Sequence, residues 1–156
     1  MKRLLVYVDA SVVGGCEDRE FSEGSLRLWQ CFREGSHRLA LSELTLNELK
    51  GAPDAVRKRI EEIAPANVVV LPDSDEADEL ASEYLRRGIV GPGSRADAQH
   101  VALATVAQAD ILVSWNFKHI VNVVRIRRFH AVNIELGYGT PEIRTPLEVL
   151  DYEREI

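Results

Sequence analysis

Apolar residues cluster into four short runs along the chain: Leu4-Leu5-Val6-Tyr7-Val8, Leu39-Ala40-Leu41, Val68-Val69-Val70-Leu71 and Ile111-Leu112-Val113. Each is too short for a core helix, and within each the apolar character is nearly continuous rather than alternating. That pattern predicts strands covered on both faces, as in a parallel sheet. Strands are expected at 4–8, 38–41, 68–71 and 111–114. Between them, apolar positions recur at helical spacing. Phe21, Leu28 and Phe32, with Trp29 beside them, predict a helix over 19–34 that Gly35 stops. Ser42 is placed to cap a helix bearing Leu44, Leu46 and Leu49 and ended by Gly51, and Pro53-Asp54 opens another reaching Ala64. The segment 73–87 has acids in its first turn and Arg86-Arg87 in its last, the order a helix dipole favours. After a loop over 88–93, Ser94-Arg95-Ala96-Asp97 has capping-box spacing and begins an Ala- and Val-rich helix to Gln108. A further helix is expected over 119–130, and 142–150 forms a small Pro-bounded closing unit. Strands that alternate with helices in this way build a parallel sheet with helices on both faces. Sites in such sheets form just beyond the carboxyl ends of strands. The loops after the first, second and fourth strands are therefore where chemistry is expected.

Composition narrows the setting. The 156 residues suit a single domain, 1–156, with room for a real core. Apolar residues make up 46% and charged residues 28%, as in soluble globular proteins. No segment approaches the length of a membrane span, and the apolar run at the start is too short for a signal peptide and meets Asp9 at once. Cys16 and Cys31 form no CxxC pair, so neither a zinc site nor a disulfide framework is expected, and a cytoplasmic setting is the default. The net charge of −6 counts against bulk affinity for nucleic acid. It counts less if several acids surround a bound cation.

The candidate chemistry lies at the strand ends. Asp9 follows the first strand, with Ser11 two residues on; alone, it is as readily a turn or cap acid. Glu48 follows the second strand in SELTLNELKG, with Glu43 as a rival and a Thr45-x-x-Glu48 capping box as the plain structural alternative. Asp97 heads its helix, where an acid stabilises the dipole by about 0.3–1 kcal/mol without any chemistry. His100, one turn on, is expected to pack or hydrogen-bond locally rather than bind metal. Asn116 stands at the tip of the fourth strand, an ordinary turn position. Each explanation is comfortable singly, but a parallel sheet would bring these ends together. Unpaired carboxylates so gathered would repel and hold their protons more tightly. A hard divalent cation removes that cost. Such an ion activates water and shields a phosphodiester, so phosphodiester hydrolysis suits the set best. Trp115 and Phe117 are candidate stacking surfaces for bases; for Phe117 the expected place is the core, while Trp115 is open between the sheet edge and a partner or RNA. RIRRFH, with Arg125, Arg127 and Arg128, is the one dense basic stretch. It is either a solvated helix face or a contact for RNA phosphates or an acidic partner.

At these residues the chain resembles the PIN-domain family. The matching pieces are VYVDAS at 6–11, ALSELTLNELKG at 40–51, ADAQHVALAT at 96–105 and ILVSWNFKHI at 111–120, in the family's order and spacing. Within the family the likeness is nearest to VapC-type toxins. It implies a three-layer α/β/α sandwich around a small, mainly parallel sheet. It also implies Mg²⁺- or Mn²⁺-dependent cleavage of single-stranded RNA, a protein antitoxin as partner, and a homodimer. Carried over by position, Asp9, Glu48 and Asp97 are the metal-binding acids, Ser11 a supporting residue, and Asn116 the fourth catalytic position in place of an acid. An amide there adds no negative charge, so three acids hold one cation more readily than two. Two rivals belong to other classes. One is a catalytically weak PIN-like module for protein binding or regulation. The other is a phosphoacceptor domain with Asp9 as nucleophile, for which Lys118 is the sole candidate lysine.

Overall fold

The computed structural model describes residues 3–155, with side chains described to Leu150. The elements run β1 (Leu5–Val8), α1 (Ala10–Gly15), α2 (Ser22–Glu34), β2 (Arg38–Ser42), α3 (Glu43–Leu49), α4 (Asp54–Glu61), β3 (Val68–Leu71), α5 (Asp75–Arg86), α6 (Arg95–Val106), β4 (Ile111–Val113), α7 (Val123–Glu135), β5 (Glu142–Arg144) and α8 (Pro146–Glu155). The five strands form one sheet in the order β3-β2-β1-β4-β5. Every pairing is parallel, with Tyr7 opposite Ala40 on one side and Leu112 on the other.

Strand alternation divides the core between the two faces of the sheet. Val6 and Val8, Leu39 and Leu41, and Ile111 and Val113 point to one side, where Val12, Val13, Leu28, Trp29, Phe32 and Val149 cover them. Tyr7, Ala40 and Leu112 point to the other, beneath Tyr84, Ala98, Val101 and Phe129 of α5, α6 and α7. The fold is thus an α/β/α sandwich, as expected. Complete burial of side chains such as Leu28 and Phe32 contributes roughly 1.5–3 kcal/mol each.

The chain builds β1, β2 and β3 outward on one side, then crosses to lay down β4 and β5 on the other. The crossing leaves a crevice beyond the carboxyl ends of β1 and β4, the switch point where sheets of this kind form sites. Among the described residues no helix is long and apolar enough to cross a membrane.

Three local departures have physical causes. The helix expected over 19–34 runs from Ser22 to Glu34, and an unexpected short helix, α1, precedes it: Asp9 accepts a hydrogen bond from Val12 N at 3.4 Å and caps it. The sequence ASVVGG has poor helix propensity, and the cap with the burial of Val12 and Val13 overrides it. The last helix before β5 begins at Val123 rather than 119, because Asn122 is extended and accepts from Arg125 N at its start. The closing unit contains a fifth strand, β5, whose Glu-Ile-Arg pattern has one buried residue between two polar ones. Ser42 caps α3 through Thr45 N, as expected. Ser94 does not cap α6 through its side chain, and no capping box forms with Asp97.

Candidate active site

Asp9 ends β1 on the floor of the crevice and is 5% exposed. Its carboxylate is held from two sides. Oδ1 accepts from Ser11 Oγ at 2.5 Å, and Oδ2 accepts from Ser114 Oγ at 2.6 Å. Each hydroxyl in turn accepts from a backbone N–H of the turn after β4: Trp115 N to Ser11 at 3.0 Å and Asn116 N to Ser114 at 2.9 Å. Two serines therefore suspend the β4 tip from the β1 acid. Ser11 belonged to the expected set. Ser114 did not, since a serine closing an apolar strand carries no signal of its own.

Asp97, in the first turn of α6, faces that same tip. Its Oδ1 accepts from Asn116 Nδ2 at 3.1 Å, and its Oδ2 meets His119 Nδ1 at 3.0 Å. Asn116 Oδ1 accepts from His119 N at 2.9 Å, so the amide turns its nitrogen toward the acid. Ser94 Oγ lies 3.4 Å from His119 Nδ1. The Asp97 carboxyl is pushed above the ordinary carboxylate range, first by burial and further by the charge of Asp9, against the pull of His119 and His100.

Glu48, on α3, is the third acid. Its Oε1 lies 2.5 Å from Nε2 of His100, which is itself 2% exposed. The other ring nitrogen, Nδ1, lies 2.7 Å from the Tyr7 hydroxyl, which is also 2.7 Å from Ser42 Oγ. Burial drives the Tyr7 phenol well above its usual range, and the charges of Asp9 and Glu48 push the same way. Asp9, Glu48 and Asp97 thus share one electrostatic neighbourhood. His100 does not make the local hydrogen bond expected of it; its partners, Tyr7 and Glu48, stand on β1 and α3.

The donor set is chemically suited to a hard divalent cation. Among the described residues no three His, Cys, Asp or Glu side chains are grouped so as to hold one ion. Each acid has partners, Glu48 in His100, Asp97 in Asn116 and His119, and Asp9 in Ser11 and Ser114; Asp9 and Asp97 are the pair joined through the β4 tip. Mg²⁺ characteristically takes one or two carboxylates and completes its shell with water and substrate phosphate, so this pair fits it.

The sequence left Trp115 open and put Phe117 in the core; the structure buries the first and exposes the second. Trp115 is 8% exposed, donates through Nε1 to Ser25 Oγ at 2.8 Å and stacks on Phe21 with centroids 4.5 Å apart. It is a core residue and offers no face to a base or a partner. Phe117, expected in the core, is 51% exposed. The basic stretch is also partly committed. Arg125 donates to the carbonyls of Lys118 and Ile89, and Arg128 to that of Arg87, which leaves Arg127 exposed on the α7 surface. Asp110, before β4, accepts from Leu5 N at 2.8 Å at the far end of the sheet and takes no part in the site.

No family model and no curated protein matches the chain. Solved structures do. VapBC2 from Rickettsia felis, bound to a DNA fragment from its promoter, superposes with a TM-score of 0.57 at 12% identity, over 91% of this chain and 98% of that one. VapC20 from Mycobacterium tuberculosis, a toxin that cleaves the sarcin–ricin loop, matches with a TM-score of 0.55 at 19% identity, over 73% of this chain and 92% of that one. DNA-bound VapBC from Salmonella typhimurium gives 0.53 at 17% identity, over 92% of this chain and 98% of the other. The chain therefore has the PIN-type fold of VapC proteins.

Proposed function

We propose that this protein is a metal-dependent endoribonuclease that hydrolyses phosphodiester bonds of single-stranded RNA, acting in the cytoplasm as the toxin of a type II toxin–antitoxin pair. The observation that carries this reading is that Asp9 and Asp97 both hold the β4 tip at the β1–β4 crevice, Asp9 through Ser114 and Asp97 through Asn116, where burial and the charge of Asp9 raise Asp97. Two acids kept together at such a cost suit a divalent cation, Mg²⁺ or Mn²⁺. When bound, that ion lowers the pKa of water and offsets charge on the phosphodiester. Asp9 and Asp97 would hold it. Ser11 and Ser114 aim Asp9, and Asn116 aims Asp97. Glu48 supplies the third acid at the rim. Phe117 gives an unpaired base a face to stack on, which favours single strands over duplex. Arg127 is placed to meet backbone phosphate. The fold shared with VapBC complexes supports an antitoxin partner for this chain as well, and a homodimer belongs to the reading through the family resemblance alone.

A second reading, a catalytically weak binding module, draws on the engagement of Glu48 by His100 and of Asp97 by His119. One experiment separates the two. The purified chain is incubated with single-stranded RNA in Mg²⁺ or Mn²⁺, with EDTA as control, beside Asp97→Asn. Cleavage that requires the metal and falls at least a hundredfold in the variant supports the nuclease. Equal residual activity in both supports the binding module.

A further inference from the structure

With Glu48 as a carboxylate and His100 as a neutral ring, one set of hydrogen-bond directions satisfies every partner around that ring. An ionised Glu48 carboxylate accepts only, so His100 Nε2, at 2.5 Å, carries the proton and donates. In the neutral ring Nδ1 is then an acceptor, and the Tyr7 hydroxyl at 2.7 Å donates to it. Tyr7 has spent its one proton, so Ser42 Oγ donates to the Tyr7 oxygen at 2.7 Å. Ser42 Oγ also accepts from Thr45 N at 3.1 Å, and Thr45 Oγ1 donates to the Val8 carbonyl at 3.3 Å. Each hydroxyl uses its proton once. The chain of bonds runs without conflict from the end of β2, through β1, to α6 and out to α3. Tyr7, Ser42, Thr45 and His100 are all buried, whereas the Glu48 side chain at the end of the chain is 36% exposed.

A glutamate on a short helix with that much solvent has no reason to hold one rotamer. A buried imidazole with a fixed tautomer and a rigid support gives it one. We propose that His100 is a positioning residue that holds Glu48 outside the ligand shell of the cation, as a fixed acceptor at the rim that orients the attacking water. The inference rests on the nuclease reading and deepens it: Asp9 and Asp97 bind the ion, while Glu48 acts beside it.

The test uses the full chain and Mn²⁺ as the probe, with folding of each variant checked by thermal melt. Calorimetric Mn²⁺ affinity is measured for wild type, Glu48→Gln, Asp97→Asn, His100→Leu and His100→Gln. The expected result is affinity within about threefold of wild type for the Glu48 and His100 variants, against a loss of about 10–100-fold for Asp97→Asn. In RNA cleavage, His100→Leu is expected to lose about 10–100-fold in kcat at unchanged KM. His100→Gln, which keeps a donor near the Nε2 position, is expected to recover most of that. Nitrogen-15 spectra of the rings should show His100 as the Nε2–H tautomer, with the bias lost in Tyr7→Phe. Glu48→Gln weakening Mn²⁺ as much as Asp97→Asn overturns the proposal, as does His100→Leu at full kcat. A wild type that binds Mn²⁺ but cleaves nothing overturns the nuclease reading instead, and the affinities and the tautomer then decide on their own whether His100 keeps Glu48 from the ion.

Discussion

Replacing Ser114 with alanine removes one oxygen from a fully buried position and breaks two bonds at once. Asp9 Oδ2 loses a donor at 2.6 Å, and Asn116 N loses its acceptor at 2.9 Å. A hydrogen bond to a charged carboxylate contributes about 1.5–3 kcal/mol, and an ordinary one about 1 kcal/mol. The expected destabilisation is therefore about 2–4 kcal/mol. In a domain of this size that is a fall of roughly 5–15 °C in Tm. Ser11→Ala breaks the mirror pair, Asp9 Oδ1 and Trp115 N, and should cost a similar amount. Because both hydroxyls hold one carboxylate, the double variant should depart from additivity by at least 0.5 kcal/mol, taking about 0.5–3 kcal/mol as the range for groups in one network. Urea denaturation of the four proteins measures all of this. RNA cleavage by Ser114→Ala should drop about 10–100-fold, the usual cost of losing a partner that orients a ligand. A Ser114→Ala protein within 0.5 kcal/mol of wild type would refute the view that this serine suspends the strand tip from Asp9.

Four further outcomes are expected. A Cβ at Gly15 would stand 2.8 Å from Trp115 Nε1 and against Ser25 Oγ, so Gly15→Ala should lower stability by about 1–3 kcal/mol in a thermal melt. Asp97 is held above its ordinary value of 3.8, so its ionised form costs folding energy at neutral pH; Asp97→Asn should melt higher than wild type at pH 7, with the gap closing as the pH falls toward 3.8, where the unfolded carboxyl also takes a proton. Phe117→Ala should raise KM for single-stranded RNA about 5–150-fold, the equivalent of about 1–3 kcal/mol of base stacking, with little change in Tm. Arg127→Ala should lower affinity for RNA and flatten its dependence on log salt by about 0.7, the slope of one phosphate contact on a single strand.

The sheet was legible because the runs of β1, β2, β3 and β4 are apolar without interruption, and each begins within a residue of its expected place. Asp9, Asp97 and Asn116 were legible because a parallel sheet sends the ends of its strands to one edge, whatever their separation in the chain. The fifth strand was hidden because an edge strand buries a single residue, Ile143, between two charged ones. The first helix was hidden because its stability comes from a cap and a buried valine pair rather than from propensity. The burial of Trp115 and the exposure of Phe117 had a visible cue. Ile111, Val113 and Trp115 continue the two-residue alternation of β4 onto one face, and all three pack in the same cluster. Reading the turn as the end of the strand broke that pattern one residue early. The contact between Glu48 and His100 joins groups 52 positions apart, and no periodicity announces it.

The two acids of the crevice differ in what else they are for. Asp9 caps a helix and anchors the neighbouring strand, so a chain that had abandoned chemistry would still have reason to keep it. Asp97 is disfavoured where it stands, with its charge confined and set against a like charge. In any comparison of relatives, an acid retained at the first position testifies mainly to architecture. An acid retained at the second, against its own interest, is the better witness that the protein still cuts.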